Sequence, residues 1–536
     1  MTDTHRSASR NDIKAYLVGG GIAALASAAY LIRDGGIPGR NIRILEQTSL
    51  MGGSLDGAGS PDHGYVIRGG RMFTYEAYTC TFDLLSFIPS LTDPARTVND
   101  EIHAFNDKHI PHSHARLVRG GAKVDVSTLG FSNQDRLDLI ELMAVSEASL
   151  GAKRIEDVFA PAFFQTNFWY MWVTTFAFQP WHSAVELKRY LHRFIQEFPR
   201  IHTLGGVRRT PYNQYDSIVL PLTTWLKAQG VGFETGVCVT DLEFKYGPRG
   251  KGVERLHVVR DGAPELVAVG DDDLVFVTNG SMTTASSLGT MTRPAELTAR
   301  DGKTDGSWAL WETLAKKHSE FGRPWVFNGK VDESKWLSFT VTMRDPTFFE
   351  LMEKFTGNAA GTGGLVTFTD SNWLMSVVLA AQPHFINQPD NIKVFWGYGL
   401  FVDQIGNFVG KKMSQCSGEE ILTELLGHLR FEQHKSLILK TSNCIPCMMP
   451  YITSQFMPRV EGDRPAVKPA GTTNLAFIGQ YCEIPDDVVF TVEYSVRAAQ
   501  TAVYALLGLD KKVSPLYKAQ YDPAVLFGAT KTLLHA

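Results

Sequence analysis

An α/β fold built on a parallel sheet is predicted by three separated stretches of this 536-residue sequence. Residues 15–46, AYLVGGGIAALASAAYLIRDGGIPGRNIRILE, give an apolar strand, a glycine turn, a helix of small residues and a second strand ending in Glu46. That is a βαβ unit with an acidic residue at the tip of its second strand. Residues 231–280 read as strands, the last ending in Thr278, Asn279 and Gly280. Residues 474–508 add a closing strand, a turn at Gly479 and a long helix.

The first unit is specific in its chemistry. Gly19, Gly21 and Ala24 form G-x-G-x-x-A. Gly19 permits a tight turn, Gly21 leaves the backbone open to a pyrophosphate, and Ala24 lets helix and sheet close up. The helix N-terminus then offers unpaired N–H groups to the phosphates, and Glu46 can accept from a ribose diol. A second glycine-rich turn follows at Gly52, Gly53 and Ser54, where flavoproteins of the glutathione-reductase kind place one against their cofactor. The strand in GYVIRGGRMF runs into Gly69, Gly70 and Arg71, a loop that lies either against a flavin ring or in a plain β-turn. The Gly479 turn and its helix would close the cofactor site from the carboxy-terminal side. The fold class is therefore a Rossmann-type FAD-binding domain, discontinuous in sequence, with an inserted mixed α+β substrate domain. We assign residues 1–66, 225–293 and 468–510 to the FAD-binding domain, 67–224 and 294–467 to substrate-binding and helical regions, and 511–536 to a tail.

Composition narrows the function. Hydrophobic residues at 44% and charged residues at 20% suit a globular chain, and a net charge of −4 gives no electrostatic footprint for nucleic acid. The polar start, MTDTHRSASRNDIK, lacks a signal-peptide core, so a cytoplasmic location is expected. Six cysteines in a chain this long do not suggest a disulfide framework. Cys444 and Cys447 form C-x-x-C without the second pair that zinc would need, so no metal is expected, and NCIPCMMP reads as a buried, packed loop.

Helical periodicity marks residues 133–148 and 183–198, and a further helix ends near Gln229. Between the first two lies FFQTNFWYMWVTTFAFQPWH, dense in aromatics and almost free of charge. It is either core or the wall of a cavity for a long apolar ligand, and both can hold at once. The tail carries Lys511, Lys512, Lys518 and Lys531 beside Leu526, Phe527, Leu533 and Leu534, a composition suited to peripheral membrane contact. Pro515 and Pro523 interrupt it, and a docked tail is the preferred reading.

Longer motifs give the chain a resemblance. VGGGIAALASAAYLIRD, RGGR, FAFQPWHSAVELKRYLHRF, PYNQYDS, QPHF, IPCMMPYITSQFMPR and GQYCEIPDDVVFTVEYSVRAAQ resemble the bacterial oleate hydratases, the family once called myosin-cross-reactive antigens. The resemblance runs from about residue 15 to about residue 505. It implies an enzyme, a hydro-lyase that adds water across the cis-9 double bond of oleic acid to give 10-hydroxyoctadecanoic acid. It implies FAD bound without net redox change, and an unsaturated long-chain fatty acid as partner. Carried over residue by residue, the proton donor to the alkene is Tyr190, the glutamine of the YNQY motif is Gln214, and the histidine that meets the fatty-acid carboxylate is His384. Lys188, Arg189, His192 and Arg193, around Tyr190, are expected to favour its phenolate. The family's T-x-N-R-Q-P-H reads VLAAQPH here, with Val378 and Ala380 at the two polar places. Its water-activating glutamate after RGGR is replaced by Met72, and Glu76 is the carboxylate that follows in the same loop. The short segment before the glycine loop favours a monomer over the homodimer some relatives form. Two other classes compete: an FAD-dependent oxidoreductase of amine oxidase or desaturase type, and a lipid-binding protein that keeps FAD without catalysis.

Overall fold

The structure, a computed structural model, describes residues 9–70, 72–298 and 305–535. Its first layer is a parallel sheet in the order Leu475–Ile478, Leu274–Thr278, Ala15–Val18 (β1), Ile42–Glu46 (β2) and Gly232–Thr235. Leu17 stands in register with both Ile44 and Phe276. All four residues of β1 are buried, as a strand covered on both faces requires. Ile22–Arg33 (α1) packs on the sheet and on the helix Val492–Leu507. Its alanines allow that approach, and Ala24 is wholly buried. The Rossmann-type α/β arrangement is thus present, with its five strands drawn from widely separated parts of the chain.

Val237–Gly247, Gly250–Arg260 and Ala263–Ala268 form an antiparallel three-stranded sheet. The larger layer is an eight-stranded mixed sheet centred on Trp336–Met343, of which every residue is buried. One neighbour of that strand is Ser442–Met449, which corrects the sequence expectation for NCIPCMMP: the segment is buried, but it is a strand and not a loop. Pro446 is tolerated because strand pairing continues around it, opposite Phe339. Cys444 and Cys447, three residues apart on a strand, point to opposite faces and form no redox pair.

The short strand Gly64–Ile67 crosses onto this layer, where the amides of Tyr65 and Ile67 donate to Thr342 Oγ1 at 2.8 Å and Thr340 Oγ1 at 3.1 Å. Those two bonds fix where the following glycine loop emerges. The aromatic segment becomes the helix Asn167–Phe176, capped by the Thr166 hydroxyl. Pro523 begins a helix, Pro523–His535, instead of breaking one, as its ring suits a first turn. The tail is docked through ion pairs from Lys511 to Asp34 and from Lys518 to Asp486. Among the described residues, no helix is long and apolar enough to cross a membrane.

Candidate active site

Two cavities lie side by side. The larger, about 400 Å³, opens at the carboxyl ends of the parallel strands. Gly19, Gly21, Glu46, Gly53, Ser54 and Gly479 all line it. Gly19 has a φ of +99°, and a Cβ there would stand 3.0 Å from Thr278 Oγ1, so both turn and packing demand glycine. Gly21 is different. Its backbone is extended, and an added Cβ would meet only Gly53 Cα, at 4.0 Å. The protein's own packing therefore leaves empty the volume a Gly21 side chain would fill, at the N-terminus of α1, where no side chain caps the helix. Buried Thr278 Oγ1 and Ser307 Oγ have no partner among the described residues and stand in the wall of the same cavity. These features fit a dinucleotide with its pyrophosphate at α1. Glu46 ends β2 with one carboxylate oxygen accepting from Gly20 N–H at 2.6 Å and the other from the Thr48 amide and hydroxyl, both at 2.7 Å.

The smaller cavity, about 110 Å³, is mostly apolar, and Arg68 stands in the walls of both. The Arg68 guanidinium is held by Asp56 at 2.8 and 3.1 Å and by Cys447 Sγ at 3.0 Å. Three motifs far apart in sequence are tied together around this second space. Gln214 Nε2 donates to Gly69 O at 2.8 Å, joining PYNQYDS to the RGG loop. Asn213 donates to His384 O from its backbone at 2.8 Å and from its side chain at 3.0 Å. Asp216 Oδ2 accepts from Ile386 N at 2.9 Å, and Gln388 Oε1 from His384 N at 2.8 Å. Burial keeps the Asp216 carboxyl above its ordinary value, offset in part by those donors.

Gln214, His384 and Met72 therefore share one cavity. Burial pushes the His384 imidazole down to about 4, so it is neutral at pH 7. Arg71 lies outside the described residues. Glu76 is exposed and away from the cavity, with Arg200 and Tyr517 as its electrostatic neighbours. Tyr190 is buried among Phe176, Phe178, Phe194 and Phe456, and its hydroxyl donates to Val489 O at 2.5 Å. It stands one layer behind the wall, since Phe490, next to that acceptor, lines the cavity. The basic residues around Tyr190 are committed elsewhere. Arg189 pairs with Glu147 and Glu483, Arg193 with Asp487, Lys188 with the carbonyls of Leu142 and Met143, and His192 with the latter carbonyl. Successive residues on a helix diverge by about 100°, which is why neighbours in KRYLHR do not share a face.

The sequence reading missed much of the wall. Trp336, Trp396, Tyr398, Thr174, Tyr212 and Arg209 all line it. Trp336 and Trp396 stand on either side of Tyr398 at 4.8 and 4.9 Å between ring centroids, and both indole N–H groups lack a partner among the described residues. The Tyr398 hydroxyl donates to Thr174 O. The signal available was the alternation in VFWGYG, which puts Trp396 and Tyr398 on one face of Lys393–Gly399. Thr174, Thr175 and Ala177 also show that the aromatic segment is both core and wall: its helix is buried and its carboxyl end meets the cavity. Phe490 holds a φ of +69°, rare for a bulky residue and common at functional sites.

Comparison with known proteins follows the same lines. The MCRA family matches residues 12–504. The chain is 41% identical over 520 residues to the oleate hydratase of Streptococcus pyogenes serotype M49 (strain NZ131), covering 95% of this chain and 87% of that protein. It is 36% identical over 565 residues to the linoleate hydratase of Lactiplantibacillus plantarum, covering 97% of this chain and 98% of that protein. Among solved structures, cyclohexylamine oxidase from Brevibacterium oxydans IH-35A superposes with a TM-score of 0.51 at 14% identity, over 93% of this chain and 99% of that one. At that identity the likeness is one of fold.

Proposed function

The chain belongs to the MCRA family, and from that premise we propose that it is a fatty acid hydratase that adds water across the cis-9 double bond of oleic acid to give 10-hydroxyoctadecanoic acid, with FAD in the larger cavity and no net redox change. The observation that carries this reading is the apolar cavity at which the RGG, PYNQYDS and QPHF segments are hydrogen-bonded together, sharing Arg68 with a dinucleotide cavity.

Gly19, Gly21, Gly53, Ser54, Glu46 and Gly479 would hold FAD. When bound, the flavin supplies a planar face and, if reduced, electron density that favours a neighbouring cation. The remaining work falls to the chain. An isolated alkene is a weak base, so protonation at C9 is the difficult step and a positioned acid matters more than a base. Tyr190 is the proposed acid. Its phenol must leave Val489 O to reach the substrate, which asks the segment carrying Phe490 to shift. The π faces of Trp336, Trp396 and Tyr398 oppose the cation developing at C10. Water then adds at C10, and the proton it loses restores the phenol. The described residues lining this cavity include no Asp or Glu, which suits capture by neutral water and a methionine at position 72. Gln214 orients the loop at Gly69.

The test is incubation with oleate, with and without reduced FAD, and mass spectrometry of the product. A gain of one water supports the reading. Turnover that changes the flavin's redox state, or retention of lipid with no product, overturns it.

A further inference from the structure

The two guanidiniums that line the smaller cavity are held differently. Arg68 is neutralised by Asp56. Arg209 donates to Gly361 O at 2.8 Å and to Gly363 O and has no acidic partner among the described residues. Behind it is Arg116, only 1% exposed. Arg116 too meets neutral acceptors alone: Leu365 O at 3.1 Å, Met171 O at 3.3 Å, Thr175 Oγ1 at 3.0 Å and Ile201 O. Both cations therefore converge on the turn at residues 361–365.

A buried guanidinium beside a half-buried one, with no carboxylate between them, is costly, because desolvation is not repaid by an ion pair. Burial pushes Arg116 down to about 9, with Arg209 adding its repulsion, and Arg209 itself down to about 10. The turn that holds them abuts the stretch leading to His384. Gly361 N donates to Leu379 O at 2.9 Å, and a Cβ on Gly361 would stand 2.7 Å from that of Ala381. Neutral His384 lines the same cavity, whose wall also includes the indoles of Trp336 and Trp396, the phenol of Tyr398 and the ring of Phe490. Such a cavity fits an amphiphile with an anionic head. One N–H on each terminal nitrogen of Arg209 is used on Gly361 O and Gly363 O, and the donors left on those nitrogens and on Nε suit a carboxylate.

We propose that Arg209 is the residue that binds the fatty-acid carboxylate in this chain, with Arg116 behind it sustaining the positive potential and His384 assisting as a neutral donor. This rests on the hydratase reading for the identity of the acid, and the experiment keeps the two apart. Binding of oleate and of oleyl alcohol, which has the same chain without the carboxylate, is measured at equilibrium on the FAD-loaded protein and on Arg209→Met and Arg209→Lys. Arg209→Met should weaken oleate by about ten- to a hundredfold and oleyl alcohol by less than about twofold, and Arg209→Lys should recover part of the oleate affinity. An equal loss for both ligands marks a packing role through Gly361 and Gly363 and overturns the proposal, as does unchanged oleate affinity. If Arg209→Met does not fold, Arg209→Lys carries the test: a point charge in place of a fork must cost oleate more than the alcohol. Oleate held through Arg209 but never hydrated would sink the hydratase reading and leave this one standing. Undiminished oleate binding and hydration in Arg209→Met would do the reverse.

Discussion

Replacing Tyr190 by Phe separates two roles that the structure allows one hydroxyl to hold. The ring sits against Phe176, Phe178, Phe194 and Phe456, so phenylalanine keeps the packing and deletes a single oxygen. That oxygen donates to Val489 O, and Val489 is fully buried. Its loss strands a carbonyl, at a cost of about 1–3 kcal/mol, and in a chain of this size the melting temperature falls by a few degrees. If the phenol is also the general acid, kcat falls by about 10²- to 10⁴-fold. The two effects have different readouts: thermal unfolding of the FAD-loaded protein reports the first, and hydroxy-acid formation under saturating oleate reports the second. The expected result is both, with FAD still bound and KM little changed, because proton transfer is realised only in the transition state. A lower melting temperature with kcat within about threefold of the parent refutes the assignment. The acid would then have to be sought in Tyr212 or Tyr398, the phenols that line the cavity.

Gly21→Val should fold, since a Cβ there meets nothing closer than 4.0 Å, yet place branched carbon where the pyrophosphate approaches; FAD titration should show affinity lowered by at least about a hundredfold, the loss of two or more charge-assisted contacts, and unchanged affinity would argue against this cavity. Met72→Glu should change kcat by less than about tenfold, because a cation already formed is captured by neutral water, and exposed Glu76→Gln should leave it unaltered; a large gain in the first or a collapse in the second would mean that a base is required. His182 is fully buried and its imidazole is pushed down to about 3 by desolvation, so between about pH 6.5 and 3 the unfolded chain binds a proton that the native one does not. Stability is therefore lost as pH falls through that window: urea unfolding of the parent at pH 5 should lose about 2 kcal/mol more, relative to pH 7.5, than that of His182→Gln, and equal losses would refute the linkage.

Sequence reasoning reached what is local. The glycine turn, the small-residue helix and Glu46 lie within one βαβ unit, so their relation is set by spacing along the chain, and the structure places Gly19, Gly21 and Glu46 around one cavity. Ala24 packs behind them. Reasoning from spacing failed where the partner comes from far away. Nothing in KRYLHR announces that Arg189 is claimed by Glu483 and Arg193 by Asp487, nearly 300 residues on, and the same long-range closure takes the Tyr190 hydroxyl to Val489. The strand at 442–449 was hidden by its proline, which marks a loop unless both neighbours in a sheet are known. Glu76 lies near Met72 in sequence, yet one side chain is exposed and the other lines the cavity.

The chemistry proposed here and the composition of the wall constrain each other. A hydratase that relied on a carboxylate base would have to bury that charge beside an apolar chain and then keep it from quenching the cation it serves. This cavity has none among its described lining residues, and its polar groups are amides, hydroxyls, indole N–H groups, guanidiniums and the His384 imidazole, which burial makes a weak base. Such a wall holds no strong base among its described residues, but it can hold water by hydrogen bonds and, through its aromatic faces, lower the energy of the cation. The burden then moves wholly onto proton delivery and onto holding the double bond still. Both are positioning tasks, worth several kcal/mol when the reacting atoms are held in place. If Arg209 anchors the carboxylate, that contact should therefore matter to the rate at the alkene: an oleate fixed at its head by a planar cation would present its cis-9 bond at one depth in the cavity, whereas a chain held only by apolar contact would slide.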